Sequence, residues 1–314
     1  MSPLLAVIRA ETFKVLRKRR LYVLAGLYWV LLPVLALIVA RVLNTTLASS
    51  FANEGGNIDQ TLQLFASPIG LARLALTGPA YTSPTLYIVA VTLVAALLIG
   101  DERSQNMWKT VLVVQPSRVA VMTGKVIVAL GSIAALMAGA AVAGFIFGAI
   151  GTTFLPTHFG GNWVELAGLY GLQALQLVAP ILLAFLLITL VKSGVLGVVM
   201  VLFLPSLIET IYTIINTISQ VQPLNRINAV FQAIKLQAVW QELPKYFFTA
   251  NLYAPGRKPA TSWLKELGVG EEFEPLQNLL GNGLTLTHSA LVMAGYALIF
   301  GVLLYWWFLR RDID

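Results

Sequence analysis

Leu166-Ala-Gly-Leu-Tyr-Gly-Leu-Gln-Ala-Leu-Gln-Leu-Val-Ala-Pro-Ile-Leu-Leu-Ala-Phe-Leu-Leu-Ile-Thr-Leu-Val191 contains no charged residue. A bilayer core about 30 Å thick needs roughly 20 apolar residues in helical form, and this stretch exceeds that. Uncharged stretches also run from Leu21 to Ala40, Leu74 to Gly100, Val126 to Val164 and Pro275 to Leu309. Hydrophobic residues make up 58% of the 314-residue chain and charged residues 11%, with mean hydropathy +0.80. Soluble domains carry about 25% charged residues. A soluble enzyme is thereby excluded, and the expected class is an all-α polytopic membrane protein. Six spans are expected, near 21–43, 81–100, 126–149, 166–191, 195–216 and 287–309. The chain reads as one permease-like membrane domain, residues 1–314.

There are no cysteines, so disulfides, thiolate metal sites and cysteine nucleophiles are excluded. The two histidines, His158 and His288, lie far apart and form no zinc-protease motif. The net charge of +7 does not call for nucleic acid. Basic residues cluster beside spans, as membrane orientation requires. With the N-terminus inside, Arg9, Lys14, Arg17, Lys18, Arg19, Arg20, Arg103, Lys109, Arg118, Lys125, Lys192, Arg310 and Arg311 fall in the cytoplasm, 13 of the 21 basic residues. Both termini are expected there, in a multi-pass protein of a bacterial plasma membrane. The span at 21–43 is too long for a cleaved signal segment.

Residues 1–20 place Leu5, Ile8, Thr12, Val15 and Leu16 near one helical face, with Arg9, Lys14, Arg17 and Lys18 opposite. An amphipathic elbow helix on the lipid surface is expected. In span 5, Ser206, Glu209, Thr213 and Asn216 fall on one polar stripe. An ionisable group inside a span points by default to function. The stripe could line a translocation path or an external gate, or Glu209 could simply reach interfacial water. Gly144 and Gly148 in span 3 permit close helix approach, expected within one subunit. Pro33, Pro180 and Pro205 fall inside spans. Residues 217–286 form the least hydrophobic part, expected as a small external helical cap.

The loop at 101–125 is longer than a connection needs. Asp101-Glu-Arg-Ser-Gln-Asn-Met-Trp-Lys-Thr-Val-Leu-Val-Val-Gln-Pro-Ser-Arg118 holds a short amphipathic stretch, ended by Pro116. Ser117 can cap the helix that follows. Trp108 and the charges around it would face a cytosolic partner, for which Trp and Arg are favoured anchors.

An acidic residue, Asn-x-Trp-Lys, a Leu three residues on, Pro-Ser-Arg and a Lys at the next helix resemble the pattern of ABC-2 type exporter permeases. The likeness is to the branch with the bacitracin and lantibiotic self-protection permeases. The matching positions are Glu102, Asn106, Trp108, Lys109, Leu112, Pro116, Ser117, Arg118 and Lys125. The resemblance implies a subunit paired with a second permease subunit, its loop docked on a separate ABC ATPase. ATP and Mg would then be bound by that ATPase and no cofactor by this chain. The nearest string to a P-loop, Val121-Met-Thr-Gly-Lys-Val126, lacks the first glycine and the hydroxyl residue after lysine. An amphipathic peptide, antibiotic or lipid-like substrate is implied. Two alternatives stay open: an ABC-type scaffold or sensor that exports nothing, and a membrane-embedded enzyme using Glu271-Glu272.

Overall fold

The computed structural model describes residues 2–46, 58–78, 85–104, 117–191, 193–218, 237–256 and 284–310. Its elements are helices, with no strand among the described residues. Helix α1 is Pro3–Leu16 and α2 is Arg19–Thr46. Two short helices follow, α3 at Ile58–Ala66 and α4 at Pro68–Thr77. Helix α5 continues through Leu86–Ala95, Ala96–Gly100 and Asp101–Ser104. The long helices α6, α7 and α8 are Arg118–Gly151, Trp163–Val191 and Gly194–Ile218. Then come α9 at Gln237–Glu242, a 3-10 turn at Leu243–Tyr246, α10 at Phe248–Leu252 and α11 at Leu286–Arg310.

Five helices, α2, α6, α7, α8 and α11, are long and apolar enough to cross a bilayer. The expected second span is built differently. Its apolar part is only Tyr87–Gly100, about 21 Å of helix. The missing length comes from α4, a segment expected to precede the span. Ser67 accepts a hydrogen bond from the Gly70 N–H at 3.0 Å and Pro68 opens the first turn, both favourable helix starts. Helix α4 runs antiparallel to α6: a Cβ on Gly148 would lie 2.4 Å from Pro68 Cα, and one on Gly144 2.7 Å from the Leu71 carbonyl. The Gly144–Gly148 pair thus packs inside the subunit, and only glycine fits there. Helix α4 ends at Gly78, whose φ of 68° favours glycine. A Cβ on Gly78 would meet Thr85, 3.1 Å away, at the start of α5. Span 2 is therefore two half-helices, α4 and α5, interrupted between Gly78 and Thr85.

Proline marks two irregular turns. Pro33 cannot donate to the Trp29 carbonyl, and α2 widens into a π turn at Leu27–Leu31. Pro180 cannot donate to the Gln176 carbonyl, and α7 breaks at Leu177. Pro205 is carried inside α8 without a break.

Helix α7 is the centre of the bundle. In its most apolar window 72% is buried, against 17% for α8 and for α11. Its second half packs on α5, α8 and α11, while its first half meets α4 and α6. The second half is apolar on every side, as a fully enclosed helix must be. Helices α8 and α11 present Leu207, Ile211, Leu298 and Val302 outwards, the pattern of a lipid-facing surface.

Candidate functional site

The base of the bundle is built from charge. Lys125, one turn or two into α6, is 0% exposed. Its Nζ lies 2.6 Å from Glu11 Oε1 and 2.8 Å from Glu102 Oε2, and donates to the Leu98 carbonyl at 3.0 Å. Lys14 pairs with the same two carboxylates, with Glu102 at close range and with Glu11 at 3.2 Å. Two lysines and two glutamates thus form a neutral quartet joining α1, α5 and α6. A buried charge is tolerable only when paired and hydrogen-bonded in this way. Burial pulls the Lys14 ammonium down, but Glu102 and Glu11 more than offset it and hold it above its usual range. Beside the quartet, Lys18 Nζ meets Asp101 at 2.5 Å and donates to the Leu97 carbonyl at 2.6 Å. Arg20 approaches Asp101 at 3.5 Å.

This corrects the expected faces of α1. Lys14 turns inward to the quartet, and Glu11 is buried with Val15. Leu5, Phe13 and Leu16 point outward. Helix α1 sits close on α6, because a Cβ on Gly124 would lie only 2.5 Å from Val7 Cγ1.

Helix α6 is also tied at its start. The Ser117 hydroxyl accepts from the Ala120 N–H at 3.3 Å, an N-cap. Arg118 donates to the Leu309 carbonyl at 3.3 Å. Thr123 and Tyr305 share a hydroxyl hydrogen bond of 2.7 Å. The start of α6 is thereby fastened to the end of α11.

The opposite half is built around aromatic rings and the Glu209 carboxylate. Glu209 accepts from the Thr249 N–H at 2.7 Å and also from the Thr249 hydroxyl. It satisfies an N–H of the first turn of α10 that has no partner within its own helix. Phe248 packs edge-on against Tyr296, ring centres 5.2 Å apart, and lies 6.0 Å from Phe300. Tyr212 holds Trp240 and Phe247 at 4.5 and 4.9 Å. Tyr253 meets Tyr87 at 6.1 Å. Residues 248–256 are buried except for Thr249. Phe300 lies about 21 Å along α11 from Leu286. This part of the 217–286 segment, expected as a small external helical cap, packs between α5, α8 and α11 as a wedge. Its tip meets the broken span, since a Cβ on Gly256 would lie 3.1 Å from Thr77.

The pattern that defines the family described as "ABC-2 family transporter protein" matches residues 7–216. The chain belongs to the ABC-2 transporter family. No curated protein and no solved structure matches it. The matched region runs from the elbow helix through α8 and includes the whole quartet. An ABC-2 protein of this kind is the permease component of an ABC transporter, a multi-pass membrane subunit that works with an ABC ATPase and is in general not itself catalytic.

Of the nine positions matched to the ABC-2 loop pattern, Glu102, Ser117, Arg118 and Lys125 are described. Asn106, Trp108, Lys109, Leu112 and Pro116 lie outside the described residues. Glu102 and Lys125 are joined directly; Ser117 and Arg118 stand at the other end of the loop. In the span 5 stripe, Ser206, Glu209, Thr213 and Asn216 are all half-buried. Ser206 and Thr213 donate to carbonyls of their own helix, Phe203 and Glu209, at 3.0 Å each. Glu209 faces the wedge. The sequence did not single out Glu11, the partner that closes the quartet. A signal was there: Glu11 is the lone carboxylate among residues 1–20.

Proposed function

We propose that this ABC-2 permease is the membrane subunit of an ATP-driven exporter for an amphipathic peptide, antibiotic or lipid-like molecule. Two permease subunits, identical or not, pair in a bacterial plasma membrane with their termini in the cytoplasm. Each docks a separate ATPase on residues 101–118, and ATP and Mg are held by that partner. The observation that carries this reading is the anchoring of both loop ends. The loop leaves α5 at the quartet and enters α6 at the Ser117 cap, where Arg118 holds α11. A push on Trp108 or Lys109 would therefore load α1, α5, α6 and α11 together. Glu102 and Lys125 are too buried to touch an ATPase, so they serve coupling by holding the helices that the loop moves. Bistable packing at such a junction can turn a small shift into a larger opening.

The test is co-purification of this chain with a co-expressed ABC ATPase, which a search of the adjacent open reading frames would supply, followed by ATP-driven efflux from vesicles. Trp108→Ala with Arg118→Glu should strip the ATPase from the permease while leaving the permease in the membrane at normal amount. If the doubly substituted chain keeps its ATPase at full stoichiometry, the docking assignment is wrong. If the intact pair hydrolyses ATP and moves no amphiphile, a sensor role replaces export.

A further inference from the structure

Unpartnered polar groups gather where span 2 is interrupted. Thr85 Oγ1, the Tyr87 hydroxyl and both carboxamide atoms of Gln173 and of Gln176 meet no hydrogen-bond partner among the described residues. None of the four residues is more than 2% exposed. Thr85 and Gln173 lie beside the Tyr87 side chain. Gln176 follows Gln173 on the same side of α7, directly before the break at Leu177. Thr85 stands at the N-cap position of α5 and makes no capping hydrogen bond. The Tyr253 ring, from the wedge, closes the cluster at 6.1 Å from Tyr87.

Folded proteins leave few buried polar groups unpaired, because each forfeits the hydrogen bonds it made to water. Six such atoms on four residues, two at the start of α5 and two one turn apart on α7, call for a group that pairs with them. Transporters place binding sites where membrane helices are discontinuous, and α4 ends at Gly78 while α5 starts after Thr85. The chemistry of the four side chains selects the occupant. Two carboxamides, a phenol and an alcohol donate and accept but carry no charge at neutral pH. A bound ion would find no countercharge among these four, and burying an unpaired ion is prohibitive. An amide or hydroxyl group, which also donates and accepts, matches them.

We propose that Thr85, Tyr87, Gln173 and Gln176 form a binding site for the uncharged amide or hydroxyl group of an amphipathic substrate, its apolar part lying along α5 and α7. The assignment rests on the export reading above. It names what that reading leaves open: the recognised group is neutral.

The test uses the full chain in lipid nanodiscs, with 3-fluorotyrosine at position 87 observed by fluorine NMR. The probe is decanoyl-N-methylglucamide, a neutral amide amphiphile, below its micelle concentration. Decyl sulfate and decyltrimethylammonium are the charged controls. The neutral probe should shift the Tyr87 resonance saturably and the charged amphiphiles should not. Gln173→Met with Gln176→Met should weaken the probe at least tenfold and leave the melting temperature equal or higher, since it removes unpaired amides. A response to all three amphiphiles alike, or unchanged binding in the double variant, overturns the site. A melting temperature lowered by the double variant also overturns it, because the amides would then hold structural water. Co-purification of the ATPase is scored separately. A permease that keeps its ATPase and ignores the probe loses this site and retains the export assignment.

Discussion

The two ends of the bundle handle buried polar groups in opposite ways. At the base, where α1, α5 and α6 meet, Lys14, Lys125, Glu11 and Glu102 neutralise one another within hydrogen-bond reach. Some 20 Å along α5, Tyr87 and its neighbours hold polar atoms that meet no hydrogen-bond partner of good geometry among the described residues. A closed ion-pair set has one good arrangement and resists motion, because separating its members strands a charge in low dielectric. An open neutral set has no such lock. One end suits transmission of force and the other suits exchange of a ligand.

The contrast is broken most severely by Lys125→Met. It leaves Glu11 and Glu102 buried around a single lysine, at a cost of about 3–5 kcal/mol. The melting temperature of the solubilised chain should drop sharply. Adding Glu102→Leu, which restores a one-to-one balance between Glu11 and Lys14, should recover most of that loss. A strictly additive double-mutant cycle would show that the quartet is not a unit.

The second prediction concerns the wedge. Glu209→Leu removes a carboxylate that accepts two hydrogen bonds from Thr249, a loss of about 1.5–3 kcal/mol. Amide exchange over 248–256 should rise while exchange in α6 stays unchanged. Equal exchange in the variant would mean that the aromatic contacts alone hold the wedge. Third, Gly148→Ala forces a methyl group onto the backbone of Pro68 and should cost about 1–3 kcal/mol, loosening α4 from α6 without touching either polar region.

The smallest effect is one of pH. Lys14 is held above its usual value of 10.5. A raised folded-state value gives stability that is fully present below the unfolded value and is lost as pH rises through the folded one. The melting difference between the wild type and Lys14→Met should therefore be flat from pH 6 to 9 and shrink only above about pH 10.5. A difference that already narrows at pH 7 would mean Lys14 is not held in this way.

Legibility in the sequence followed the length of the signal. Helices α2, α6, α7, α8 and α11 were plain because each carries a sustained apolar run. The interrupted span was not, because α4 is only ten residues long and holds Arg73, which pairs with Glu165 across to α7. A short apolar run with a charge in it is indistinguishable from a loop helix until the glycines of α6 show what it packs on. The base was half legible. Glu102 and Lys125 stood out through the loop pattern, but their link runs through Glu11, more than a hundred residues before Lys125, and no local spacing encodes such a contact. The wedge was hidden because its anchors, Phe248, Tyr253 and Thr249, are placed by α11, α5 and α8 and not by any periodicity of their own.

Gly100 and Gly194 touch almost backbone to backbone, so near that a Cβ on Gly100 would lie 3.1 Å from the Gly194 Cα. The end of α5 and the start of α8 thus share a pivot, with nothing between them to wedge or shear. Helix α5 extends from it as a lever: a short arm of about 3 Å toward Glu102 and a long arm of about 20 Å toward Tyr87. A tilt of about 3° at the glycines would carry the Tyr87 end by about 1 Å. Mechanical advantage, set by where two side chains are missing, would carry a small displacement at the Glu102 end to the wedge.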